Sequence, residues 1–126
     1  MIMNLLRWFS VKGKSLFSMA FSLHRLTGVV LTIYLCMHLA YLTSIRMGKE
    51  VFESFIATTV TPQFLVFDIL LVLAGVYHGV NGLRLIFHEF GLAYENRKSI
   101  LYVSVAIVLV VWLIASYKMY MFVMGV

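Results

Sequence analysis

The sequence predicts an all-α membrane protein with three transmembrane helices behind an N-terminal interfacial segment. Three observations carry this. Of 126 residues, 63% are hydrophobic, with a mean hydropathy of +0.99, and a water-soluble domain of this size has no interior for so much apolar surface. The apolar residues fall into three stretches, each long enough at 1.5 Å per residue to cross a hydrocarbon core of about 30 Å. The ten Lys and Arg, against five acids, mostly flank those stretches. That is the distribution of a membrane chain, and it argues against nucleic acid, which calls for one basic patch.

Residues Met1 to Ala20 mix Leu5, Leu6, Trp8, Phe9, Leu16 and Phe17 with Arg7, Lys12 and Lys14, a composition suited to the headgroup layer. The piece Ser10 to Ser15 interrupts the apolar pattern and predicts a turn. The first span is placed at 21–44. From Ile45 to Pro62 the chain is polar and predicts a loop with a short interfacial helix around Val51 to Ile56. The second span is placed at 63–87, with Asp68 near its entry as a solvated or helix-start residue. Polar residues return from His88 to Ser99, before a third span at 100–122 whose Trp112, Tyr117 and Tyr120 suit an interfacial belt.

Lys and Arg number seven on one side (Arg7, Lys12, Lys14, Arg25, Arg84, Arg97, Lys98) and three on the other (Arg46, Lys49, Lys118), which places the N-terminus in the cytoplasm. The basic N-terminal stretch has no cleavage pattern and reads as retained. Without a long Arg- and Ser-rich leader it points to a prokaryotic inner membrane in preference to a mitochondrial one. Cys36, the single cysteine, excludes an intrachain disulfide and a Cys-based metal motif. Residues 1–126 read as a single domain with no internal repeat.

The chemistry concentrates at the end of the second span. On a helix, Gly75, His78, Gly79 and Gly82 share one stripe, where absent side chains leave room for a flat group such as a porphyrin against the imidazole. Arg84, about 9 Å along the axis from His78, is placed to pair with a carboxylate such as a haem propionate. The simpler alternative makes His78 a membrane histidine bonded to a neighbouring helix, with the glycines serving close packing. In the first span His24 and His38 are fourteen residues apart, on nearly one face and about 21 Å apart in depth. Two buried histidines, His38 and His78, at different depths suggest two irons, each with a further ligand from a partner chain. Two imidazoles per iron leave no open position, which suits electron transfer.

Ser22-Leu23-His24-Arg25-Leu26-Thr27-Gly28, followed by Tyr77-His78-x-x-Asn81-Gly82-Leu83-Arg84, resembles the cytochrome b556 membrane-anchor subunit of succinate dehydrogenase (succinate:quinone oxidoreductase). The resemblance spans the chain in its three-span plan. It implies docking to a flavoprotein and an iron–sulfur subunit and bundling with a second small membrane anchor. It also implies passage of electrons from succinate, oxidised in the soluble part, to a membrane quinone.

By that resemblance His78 matches the ligand of haem b, His24 and Arg25 lie near the propionates and the quinone pocket, and Ser22 and Arg25 contact quinone. His38-Leu39 resembles the late first-span ligand of two-haem members, so two haems are expected in preference to one. Where single-haem members have a serine three residues before the histidine, this chain has Phe21. The alternatives are the anchor of a fumarate reductase, an anchor for another haem oxidoreductase such as a formate dehydrogenase or hydrogenase, and a haem-free structural or channel-forming membrane protein.

Overall fold

A computed structural model describes residues 8–10 and 12–125. The described chain is helical: α1 spans Leu16–Arg46, α2 Lys49–Thr59, α3 Pro62–Glu89 and α4 Arg97–Met124, with a 3-10 turn at Tyr94–Asn96 before α4. Three of these helices, α1, α3 and α4, are long and apolar enough to cross a membrane. The expected fold class is therefore observed. α3 is the central element, packed against α1 on one side and α4 on the other.

The helix ends are set by local chemistry. α1 begins at Leu16, five residues before the expected start, because the Ser15 side chain accepts from the Ser18 N–H and caps the helix inside the basic flank. The proposed interfacial segment therefore ends sooner, after a turn at Lys12 and Gly13. Leu5, Leu6 and Arg7 lie outside the described residues. α2 occupies the polar connection where a short helix was expected, and extends it in both directions. α3 opens with Pro62 in its first turn, where the missing N–H costs nothing.

α3 closes in a Schellman motif. Leu92 N–H bonds the Phe87 carbonyl at 3.0 Å, Gly91 N–H bonds that of His88 at 3.0 Å, and Gly91 takes φ +71°, a conformation costly for any residue with a Cβ. The motif turns the chain within a few residues, so α4 starts at Arg97 and returns along α3.

Packing between the helices is inverted relative to a soluble protein. The buried residues are Ala20, Ser22, Ser44, Leu65, Ala74, Asn81, Arg84, Leu101, Ser104 and Val108, while Ile33, Phe67, Leu83 and Leu113 are among many large apolar side chains facing outward. Small and polar residues let helix backbones approach, and lipid tails solvate the bulky ones.

One expectation is corrected and another is narrowed. Trp112 is not part of an interfacial belt. It lies mid-way along α4, where its indole N–H donates to the Ile69 carbonyl of α3 at 2.9 Å, because a half-buried indole away from water needs an acceptor. Asp68 is half-buried and lies beyond the first turn of α3, which contains no acid, so it does not serve the helix start. Replacing Trp112 by Phe keeps most of the ring and removes this bond. The expected cost is about 0.6 kcal/mol and no more than about 2 kcal/mol, measured as an earlier midpoint in SDS titration of the protein in mild detergent.

Candidate functional site

The site is built where α1 and α3 meet, at the end of the bundle carrying Lys14, Arg25, Arg84 and Arg97. Adjacent residues of α3 reach two carbonyls one turn apart on α1. Tyr77 Oη donates to Ala20 O at 2.7 Å, and His78 Nδ1 lies 3.0 Å from His24 O. A carbonyl oxygen can only accept, so Nδ1 carries the proton, and in the neutral ring Nε2 bears the lone pair. Thr27 Oγ1, 3.2 Å from the same Nδ1, donates back to Leu23 O at 2.9 Å and holds the ring from a second side. Among the described residues no hydrogen bond engages Nε2.

The His24 imidazole stacks on that of His78, with centroids 3.9 Å apart and planes inclined by 10°. Glycines make the stack possible. A Cβ on Gly28 would stand 3.0 Å from His78 Cε1, and one on Gly82 would stand 3.3 Å from His24 Cε1. The room expected along the Gly75–Gly79–Gly82 stripe is therefore divided. Gly82 accommodates His24, a Cβ on Gly75 would touch Leu31 at 3.9 Å, and beside Gly79 the space is open.

Nearly two turns beyond His78 on α3, Arg84 is buried at 3% exposure and its Nε donates to Asn81 Oδ1 at 2.9 Å. Asn81 Nδ2 is itself buried and has no hydrogen-bond partner among the described residues. Arg84 forms no ion pair among the described residues, where Lys49 pairs with Glu53 on α2. It lines a cavity of about 680 Å³ together with Lys14, Ser22, Arg25, His88 and Arg97. Among the described residues no carboxylate lines that cavity, so its walls are complementary to an anion.

Ser22, at 2% exposure, accepts from Lys14 Nζ at 2.8 Å. The Arg25 guanidinium carbon lies 4.6 Å from the Trp8 ring centroid and 4.3 Å from that of Phe21. Arg97 lies over Tyr94 at 4.7 Å and reaches Phe17 of α1 at 5.5 Å. Aromatic faces, not carboxylates, thus steady two of the arginines.

Of the site residues read from sequence, the fold gathers Ser22, His24, Arg25, His78 and Arg84 at one end. His38 stands apart, three to four turns along α1. Its ring stacks between Tyr34 and Tyr41, with centroids at 5.5 and 6.2 Å, and Tyr41 packs on Phe52 and Phe55 of α2. Sequence reasoning gave no individual role to Thr27, Gly28, Asn81, Tyr77 or Lys14. Thr27 and Gly28 sit one turn beyond His24 on the same helix, and a histidine followed at i+3 and i+4 by Thr and Gly is the signal that would have found them.

Residues 7–115 match the family described as the succinate dehydrogenase/fumarate reductase transmembrane subunit. Over 89 residues, 70% of this chain and 68% of the relative, the sequence is 28% identical to a succinate dehydrogenase hydrophobic membrane anchor subunit of Halobacterium salinarum.

The glycines should separate by position. Gly28→Ala presses on the His78 ring, which must give by a few tenths of an ångström; the weakening of its bond to the His24 carbonyl, about 1 kcal/mol, is expected to cancel the helix-propensity gain of Ala and leave the detergent-solubilised variant less stable than Gly79→Ala. Gly79→Ala meets nothing within 4 Å and should be neutral or slightly stabilising, as Ala is the better helix former. SDS-titration midpoints of the two variants check both.

Proposed function

This chain belongs to the succinate dehydrogenase/fumarate reductase transmembrane-subunit family, and from that premise we propose that it is a haem b-binding anchor of the cytochrome b556 type, serving electron transfer from succinate to a membrane quinone. It is a multi-pass membrane subunit of an enzyme complex and does not itself act on succinate. A flavoprotein and an iron–sulfur subunit dock on its basic end, which faces the cytoplasm of a prokaryote, and a second small anchor completes the bundle.

The observation that carries this reading is the 3.0 Å contact of His78 Nδ1 with the His24 carbonyl, which calls for a proton on Nδ1 and leaves Nε2 as the nitrogen for a ligand. Iron ligation needs an unprotonated ring nitrogen with the other nitrogen bonded to a carbonyl or carboxylate, which orients the ring and raises its basicity. The His24 carbonyl, 3.0 Å from Nδ1, meets that requirement. Arg84 and Arg25 line an anion-complementary cavity at the same end, which suits the propionates and the polar head of a quinone. Haem b, when bound, supplies a reversible one-electron station between the iron–sulfur subunit and the quinone. The chain's own contributions are to hold the ligand nitrogen, to neutralise the propionates with Arg84 and Arg25, and to exclude water with the apolar faces of α1 and α3.

His38 is assigned to a second haem nearer the opposite face. Its separation from His78 along the bundle and its placement between Tyr34 and Tyr41 support that role. The second anchor supplies the remaining ligands.

The test is the haem-to-flavin ratio of the purified complex, from a pyridine haemochrome spectrum and covalent flavin fluorescence. It should stand near two in the wild type and fall by about one in His78→Gln and again by about one in His38→Gln, since each removes one axial ligand. A ratio near one that only His78→Gln lowers would restrict the reading to a single haem. Full haem retention in His78→Gln would end the ligand assignment.

A further inference from the structure

The segment before α1 reaches the site through Trp8. The chain turns at Lys12 and Gly13, with Gly13 at φ +73°, and this carries the Trp8 ring back onto Arg25 at 4.6 Å. Phe21, one turn before Arg25 on α1, supplies a second ring at 4.3 Å. Within this chain both rings are largely exposed, Trp8 at 61% and Phe21 at 41%. Arg25 has no ion pair among the described residues, and what faces its guanidinium there is this pair of π surfaces.

A long arginine side chain at a membrane boundary is otherwise free to snorkel toward water, sampling many rotamers. Rings within about 6 Å of the guanidinium hold it by its charge while leaving its N–H groups free to donate in the guanidinium plane. We infer that Trp8 and Phe21 form an aromatic clamp that fixes the Arg25 guanidinium at the wall of the cavity, so that Trp8 is a positioning residue for the ligand oxygen that Arg25 meets. This rests on the reading of Arg25 as a quinone contact. It adds a part of the chain outside the spanning helices to the site, and it assigns the N-terminal segment a task beyond anchoring.

The clamp is tested in the intact complex by a double-mutant cycle of Trp8→Leu and Arg25→Gln, with Trp8→Tyr as the conservative variant. The readouts are KM and kcat for a short-chain ubiquinone analogue with succinate as donor, alongside the haem-to-flavin ratio. Trp8→Leu is expected to raise KM by about threefold or more with kcat little changed, a loss on the scale of one cation–π contact. Trp8→Tyr keeps a π face and should stay close to wild type, and in the Arg25→Gln background Trp8→Leu should add nothing.

If Arg25→Gln raises KM and Trp8→Leu does not, the clamp is wrong while the quinone reading of Arg25 stands. If the two effects simply add, Trp8 acts independently of Arg25 and the clamp is again wrong. If Arg25→Gln leaves KM unchanged, the quinone reading itself fails and takes the clamp with it.

Discussion

The arrangement depends on the hydrogen bond from His78 Nδ1 to the His24 carbonyl, made across the α1–α3 contact. In a medium without water, a side-chain donor has few places to go, and a backbone carbonyl of a neighbouring helix is one of them. Together with Tyr77 on Ala20 O, one turn away, it fixes both the rotation and the height of α3 against α1. Once that rotation is set, Asn81 and Arg84 follow one and nearly two turns later on the side facing α1 and the basic cavity. The stacked imidazoles, the buried arginine and the cavity wall are consequences of one register.

That register is affordable only because the contact is thin. Gly28 and Gly82 stand where a Cβ would crowd an imidazole, and the buried residues that α1 and α3 contribute at this end are Ala20, Ser22, Asn81 and Arg84. A soluble bundle of the same length would fill such a seam with Leu and Ile and would gain from removing them from water. Here those residues face outward, where lipid or a partner helix serves them equally well. Close approach and satisfied polar groups therefore do what hydrophobic burial does elsewhere.

The spans were legible because hydropathy is additive along the chain, and a stretch of that length is informative whatever it packs against. Their ends were less so. The early start of α1 depends on the Ser15 cap, a single local bond hidden among basic residues. His78 announced itself as an ionisable group in an apolar helix, but its partner carbonyl lies 54 positions away, and no periodicity encodes that pairing. The glycine stripe showed where side chains are missing without showing what enters: His24 beside Gly82, open space beside Gly79. Trp112 was misplaced because its indole answers to a particular acceptor on α3, whereas the belt rule describes where such rings collect on average.

The stacked imidazoles and the bonds that hold them draw on two short pieces of chain, residues 20–28 and 77–84, on different spanning helices. A nascent chain that has inserted α1 alone carries His24, Thr27 and Gly28 with nothing to bind them, and the imidazole that completes the set is still within the ribosome. Only when synthesis has passed Arg84 and α3 has entered the bilayer does the seam exist. Assembly of this protein thus has a threshold along its own length: before it the chain is one helix in lipid, and after it the helix pair has a single defined register on which other components can be built.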